Sequence, residues 1–315
     1  MVKKENRGMK FSIVVATYNR SQVLKRCVES VLMQSYKDFE LLIVDDGSTD
    51  NTSSMMKDFN DHRIKYIQLD KNYGSATPAR NRGIDEMTGD VLIIWDSDDV
   101  LLPCALETLK LGFDKFKTGV ACVSTTFYEG SKAVAYPRMS TGLLTKLDWV
   151  RGGRPRDAEI IGIKKECIGN TRFRSRGIDF MFYIEILGNL NTEIAYINET
   201  CGYVFLESDE LSLTKLRKKM NVDLSRERGP ILDSFLSKYK TLYFEARAYK
   251  KFSGYAYGAA VGLLLGGLHF KAIKRAWHAF YYHKRFGYLI FFLFTLLPLA
   301  PYIFLRIAIL KGKAA

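Results

Sequence analysis

Two apolar runs in this chain each end in a cluster of carboxylates. Asp45-Asp46 follows Glu40-Leu41-Leu42-Ile43-Val44, and Asp96-Ser97-Asp98-Asp99 follows Val91-Leu92-Ile93-Ile94-Trp95. Carboxylates supply the oxygen ligands that a hard divalent cation takes. Along an extended chain Asp96 and Asp98, at i and i+2, project to one side. Arg80 lies between the clusters in sequence, and its guanidinium can pair bidentately with phosphate oxygens. This chemistry suits a metal together with a molecule that carries hydroxyls and phosphates.

Such groups act together only if the runs that carry them end side by side. Both runs are short and nearly unbroken, as in strands buried on both faces of a parallel sheet. Ligands of open α/β sheets bind outside the carboxyl ends of the strands. Phe11 to Ala16 reads as a first strand, followed by the loop Thr17-Tyr18-Asn19-Arg20. Ser21 can cap a helix bearing Val23, Leu24, Cys27, Val28, Val31 and Leu32 at helical spacing. Gly47 to Asp50 turns into a short helix over 51–59, and Ile64 to Leu69 is the next strand. Pro78 suits the first turn of a helix that runs to Met87. After the strand at 91–95, Pro103 opens a helix and Val120 to Ser124 forms another strand. Strands alternating with helices predict a right-handed, mostly parallel, Rossmann-like α/β sheet with helices on both faces. Residues 125–160 read as a mixed segment. Asp179 opens an apolar helix through Leu187, and Ile194 to Ile197 and Gly202 to Leu206 read as short closing strands.

Four segments, taken together, resemble the family 2 glycosyltransferases of the GT-A fold. They are Val14 to Arg20, Ile43 to Asp50, Asn72 to Gly83 and Asp96 to Asp99, in the family's order and spacing across residues 10–103. The resemblance implies an inverting transfer of a sugar from a nucleotide-diphospho-sugar, a UDP-sugar by preference, to a lipid-linked or glycan acceptor. It implies that Asp45 contacts the base, although a turn-capping role also suits Asp45 before Asp46-Gly47-Ser48. Thr17, Tyr18 and Asn19 would line the nucleotide pocket, and Arg80 would lie near the diphosphate. Asp96-Ser97-Asp98 matches the family's DxD motif. Asp96 and Asp98 would contact the nucleotide sugar, and Asp98 and Asp99 would hold magnesium or manganese. Asp179 aligns with the family's general base, which takes the acceptor hydroxyl's proton; a helix N-cap is the other reading. The family's usual glutamate before that base is Ile178 here, and no histidine occurs in Tyr203 to Asp209.

The rest of the chain has a different balance. The formal charge of +13 is concentrated in residues 215–315, which hold 19 Lys and Arg against 4 Asp and Glu; residues 1–214 hold 28 against 30. A polyanionic surface is therefore the expected partner of the tail. No nucleic-acid-binding module is recognisable, so an anionic membrane surface is preferred to nucleic acid. Phe286 to Leu305 is 20 residues without charge, with basic residues on both sides. That length predicts an apolar membrane segment, whether spanning, re-entrant or lying in the plane. Gly254, Gly258, Gly262 and Gly266 predict a close helix approach, read as a helical hairpin with the helix at 270–285 rather than a membrane dimerisation face. The expected organisation is a short N-terminal arm (1–9), a catalytic domain (10–214), a basic helical region (215–285), a membrane-associated segment (286–310) and a basic tail (311–315). The polar start, Met1 to Arg7, reads as lacking a secretory signal. Five dispersed cysteines read as reduced core thiols. The expected location is the cytoplasmic face of the cell membrane, with a homo-oligomer left open. Two rival readings keep the nucleotide pocket: a sugar nucleotidyltransferase, and a catalytically silent membrane-attached scaffold.

Overall fold

The computed structural model describes residues 8–134, 139–153, 160–175, 179–190, 193–205, 222–297, 300, 301 and 303. They divide into two compact units, one holding residues up to 149 and 153–207, the other 150–152 and residues from 208 onward. Several expectations fall partly or wholly on other residues: the N-terminal arm, parts of the mixed segment at 125–160, the segment just before Asp179, the end of the catalytic domain with the start of the basic helical region, and most of the chain beyond 297.

The first unit is built on one sheet. Strands β1 (Phe11–Thr17), β2 (Phe39–Asp45), β3 (Ile64–Gln68) and β4 (Val91–Asp96) pair in parallel in the order β3-β2-β1-β4. Val, Ile and Leu fill both faces, and nearly every residue of β1, β2 and β4 is buried. Helix α1 (Ser21–Leu32) buries Leu24, Cys27, Val28 and Val31, the stripe its periodicity predicts. Helix α2 (Thr52–Lys57) follows β2, and α3 (Ala76–Glu86) connects β3 to β4.

Beyond β4 the sheet departs from the expected, mostly parallel arrangement. The order continues through β9 (Ile160–Lys164), β6 (Val120–Glu129), β10 (Ile194–Phe205) and β5 (Val100–Leu101). Strand β9 runs antiparallel to both β4 and β6, so the sheet is mixed. Its signal is weak because Ile160-Ile161-Gly162-Ile163 carries a glycine at its centre. A Cβ at Gly162 would lie 3.1 Å from the Phe113 ring and 3.2 Å from Val91. Two short strands, β7 (Lys132–Val134) and β8 (Gly142–Leu144), extend β6 and β10. Helix α4 (Ala105–Phe116) covers β6 and β10. The remaining helical pieces of this unit are α5 (Lys146–Asp148), α6 (Lys165–Ile168) and α7 (Phe180–Asn189).

The second unit is helical: α8 (Val222–Glu245), α9 (Tyr249–Leu265), α10 (His269–His283) and α11 (Phe286–Thr295). Helices α9 and α10 pack as a hairpin, and α9 also packs on α8. Of the four spaced glycines, Gly262 makes the close approach. A Cβ there would fall 2.6 Å from the Gly229 Cα on α8, whereas a Cβ at Gly254 would meet nothing within 4 Å. Buried Arg275 on α10 joins α8 by donating to the Asp233 carboxylate, the Asp233 carbonyl and Ser237 Oγ.

The expectation of a membrane-spanning segment is corrected here. Among the described residues no helix is long and apolar enough to cross a membrane. Helix α11 has 10 residues, which at about 1.5 Å per residue reach about half of a ~30 Å hydrocarbon core. Its far end is tied down within the unit. Thr295 is buried and donates to the Phe292 carbonyl, while its own carbonyl pairs with the His269 ring. The Phe291 ring packs 4.8 Å from the Tyr257 ring. Up to Leu297 the uncharged run is thus divided between a short packed helix and a turn at Leu296-Leu297.

Two outcomes test this packing. Gly83→Ala would put a Cβ 2.2 Å from Val14 Cγ1, and urea denaturation should show a loss of about 1–3 kcal/mol. Gly254→Ala, in open space within a helix, should gain about 0.5–1 kcal/mol. Glu40 provides a pH test. Burial opposes its ionisation, but bonds from Ser12, the Thr88 backbone and the Thr88 hydroxyl, with Lys10 nearby, lower its pKa to about 2. A folded pKa below the unfolded value adds stability above the unfolded pKa and loses it as pH falls through the folded one. Acid titration should therefore show Glu40→Gln with a shallower stability loss than wild type between about pH 4.5 and 2.

Candidate active site

Parallel register brings the predicted groups to one edge. Thr17 pairs with Asp45 across β1 and β2, and Ala16 pairs with Asp96 across β1 and β4. The carboxyl ends of three neighbouring strands therefore meet where the loops begin, as ligand sites of open α/β sheets require.

On the β2 side the pocket is held by hydrogen bonds. Asp45 is fully buried and accepts from the Ser48 N–H, the Ser48 hydroxyl and the Tyr66 hydroxyl. Burial, then the Asp45 carboxylate, pushes the Tyr66 phenol well above its usual range, so it stays a donor. Asp46 is also buried and accepts from the Tyr73 N–H; burial raises its pKa, with Asp45 adding to the effect. Asn19 joins the first loop to the 48–50 turn. Its N–H donates to Ser48 Oγ (2.8 Å) and its Oδ1 accepts from the Thr49 N–H (2.8 Å). It does so with a left-handed φ of 50°, a conformation asparagine tolerates better than most residues. Thr17 Oγ1, beside Asp45, is buried without a hydrogen-bond partner among the described residues. Tyr18 is half-buried beside it.

On the β4 side each carboxylate meets a separate partner. Arg80 Nη2 donates to Asp96 Oδ1 (2.8 Å), and Arg20 Nη1 donates to Asp98 Oδ2 (2.6 Å). Arg26 Nη2 donates to the Asp98 carbonyl (2.7 Å) while its guanidinium lies 4.2 Å from the Phe205 ring centre. Asp99 is buried and its Oδ1 accepts from the Phe205 N–H (3.0 Å), tying the acidic turn to β10. Burial raises the Asp98 pKa; Arg20 opposes that and Asp96 adds to it.

Arg80 also reaches the candidate base. Its Nη1 lies 3.3 Å from Asp179 Oδ2, so one guanidinium spans Asp96 and Asp179. Burial would lower its pKa, but the Asp96 and Asp179 carboxylates outweigh burial and raise it. Asp179 immediately precedes α7, yet its side chain makes no capping bond to that helix. The carboxylate faces Arg80 instead.

Helix α3 sets this geometry. Its buried face is Ala79, Gly83 and Ile84, and Gly83 lets the helix lie directly on Val14 of β1. Asn81 then clamps the following segment, donating to the Phe173 carbonyl and accepting from its N–H, each at 2.9 Å. The Phe173 ring stacks on Phe182 of α7 at 4.2 Å. Sequence reasoning missed Arg20, Arg26 and Asn81. Arg20 and Asn81 lie inside the quoted segments, but nothing in their type or spacing says that one reaches the Asp98 carboxylate and the other the Phe173 backbone. It also missed that Cys104 and Cys201 bring their sulfurs to 3.8 Å, with the Glu199 carboxylate in the same cluster.

The donor set suits a hard cation. Asp98, with a side chain 31% exposed, offers carboxylate oxygens beside the buried Asp99. A magnesium-like ion needs only one or two protein carboxylates beside substrate phosphates and water.

Likeness to known proteins gives the fold and the family. Over 96% of its length the chain superposes on 88% of the structure described as S. aureus TarS 1-349 in complex with UDP-GlcNAc, with a TM-score of 0.63 at 18% identity, which defines the GT-A fold. The profile of Glycosyl transferase family 2 matches residues 12–179, and the chain belongs to that family. Two curated relatives are the Streptococcus pneumoniae glycosyltransferase GlyG, 40% identical over 100 residues, and the Campylobacter jejuni GalNAc(5)-diNAcBac-PP-undecaprenol beta-1,3-glucosyltransferase, 38% identical over 103 residues. The matches cover 31% and 32% of this chain, and the chain spans 33% of the length of each relative.

Asn81→Ala removes both bonds that hold Phe173. Loss of two such bonds should cost about 1–3 kcal/mol. Hydrogen exchange at the Phe182 amide, which bonds the Asp179 carbonyl, should accelerate. Unchanged exchange there would remove Asn81 as the clamp of the Asp179 region.

Proposed function

We propose that this chain transfers a sugar from a uridine diphospho-sugar to an acceptor hydroxyl with inversion at the anomeric carbon. The observation that carries this reading is the Arg80 bridge, which joins Asp96, our proposed nucleotide-sugar contact, and Asp179, our proposed base, on one guanidinium. Family membership supports it, as do the UDP-GlcNAc named for TarS and the undecaprenol-linked acceptor named for the Campylobacter relative.

Thr17, Tyr18 and the Asp45–Tyr66 pair would receive the base, with the orphaned Thr17 hydroxyl available to the nucleotide. Asp96 and Asp98 would meet the ribose and diphosphate side. Asp98, aided by Asp99, would hold a magnesium or manganese ion, which when bound supplies positive charge to the departing diphosphate. Arg20 would have to release Asp98 as that happens, and its guanidinium would then be free for phosphate oxygens. Arg80 contributes fixed charge at the same place, where leaving-group charge develops. Asp179 takes the acceptor's proton as its oxygen attacks. The acceptor O–H and the C1–O bond to phosphate break, a new C1–O bond forms, and the nucleoside diphosphate leaves on the opposite face.

We place this reaction at the cytoplasmic face of the cell membrane, on a lipid-linked or glycan acceptor. The strongly basic C-terminal unit supports that placement.

A UDP-release assay across a panel of UDP-sugars, with and without manganese, tests the reading. Asp179→Asn and Asp98→Asn should each lower kcat by about 10²–10⁴-fold with unchanged thermal unfolding. Chelation should abolish turnover, and manganese should restore it. Full activity of Asp179→Asn would remove it as base; no release from any donor by the intact chain would favour a silent scaffold.

A further inference from the structure

Among its described residues, the second unit presents an apolar face that its packing does not use. On α10, Phe270, Trp277 and Tyr281 are exposed at i, i+7 and i+11, a spacing that puts them on one helix face. On α11 and the turn after it, Phe286, Ile290, Leu293 and Leu297 are exposed at i, i+4, i+7 and i+11. Phe270 is 88% exposed and Phe286 73%. The Trp277 ring lies 5.2 Å from the Phe292 ring, so the α10 stripe borders α11. Exposed Lys271, Lys274, Lys284 and Arg285 lie on the same two helices or between them. No acidic residue follows Glu245, whereas eleven Lys and Arg do.

We infer that this face docks in the plane of an anionic lipid surface, without crossing it. The inference deepens the membrane placement proposed above by naming the surface that makes the contact. Large apolar side chains in contiguous stripes mark an interaction site. An amphipathic helix with a basic fringe lies in the interface with its apolar face in the acyl boundary. Trp and Tyr suit that boundary because one end of each is apolar and the other is wet. Charge decides between occupants. A second copy of this face would bring lysines and arginines against lysines and arginines with no carboxylate between them. A layer of anionic headgroups over hydrocarbon satisfies both the charge and the apolar stripes.

Flotation of the full chain with vesicles tests the contact without donor or acceptor, so its failure is separate from failure of sugar transfer. The probes are phosphatidylglycerol–phosphatidylcholine vesicles and phosphatidylcholine vesicles alone. Binding should favour the anionic vesicles and fall with added salt. Lys274→Gln and Lys284→Gln should each weaken partition about fivefold. The triple variant Phe270→Ser, Phe286→Ser and Ile290→Ser should stop flotation, with its melting and its UDP release on a soluble acceptor unchanged. Trp95 and Trp149 are buried and Trp277 is exposed, so acyl-chain-brominated lipid should quench Trp277 and a Trp277→Phe variant should lose that quenching. Absence of flotation by the wild type, undiminished flotation of the triple variant, or a dimer that shields Trp277 from a soluble quencher would overturn the proposal.

Discussion

One guanidinium organises the candidate active site. Arg80 stands between Asp96, at the end of a central strand, and Asp179, 83 residues further along the chain. Two carboxylates drawn toward one point repel each other, and burying an arginine without partners is costly. Each charge is tolerable because the others are present. The helix bearing Arg80 can reach this position because Gly83, three residues later, lets it rest on Val14. The absence of a side chain at one position thus fixes where a charge at another can act.

The same logic repeats around the acidic turn. Asp98 meets Arg20, and Asp99 meets the backbone of β10. In this arrangement the site's carboxylates are held by groups that a bound diphosphate and cation would compete for. Arg20 and Arg80 would exchange a carboxylate for phosphate oxygens, a like-for-like replacement of charge-assisted bonds. In the proposed reaction, a site arranged in this way would be oriented before a donor binds, an order that favours stabilising developing charge. The Asp45–Tyr66–Ser48 cluster contributes rigidity on the other side, and the buried Asp45 has no bulk water to satisfy it.

The helical unit follows a different rule. Its cohesion comes from aromatic rings and from the buried Arg275–Asp233 pair rather than from a sheet. Tyr243, Phe244, Phe252 and Tyr282 pack ring against ring among α8, α9 and α10. Apolar residues beyond those needed for this core remain on α10 and α11. The unit therefore packs a core of its own and still exposes large apolar side chains on α10 and α11.

Asp45, Asp96, Asp98 and Arg80 could be read from the chain because each lies at a place that local pattern defines, the end of a buried run or the start of a helix. The resemblance carried by those segments was equally local, and the family profile covers them. Strand β9 could not be read, because a four-residue apolar stretch with a central glycine has no direction until it meets β4 and β6. The 20-residue uncharged run was misleading for a related reason. Hydropathy measures how much surface must be covered, not what covers it, and here the neighbouring helices cover part of it and a turn divides it. Arg20, Arg26 and Asn81 depend on contacts across 72 to 92 residues of sequence. By itself the sequence determined which charged side chains stand at which strand ends, because strands and caps follow short-range pattern. The tertiary structure decided which cation faces which carboxylate, because that pairing depends on how the helices lie over the sheet.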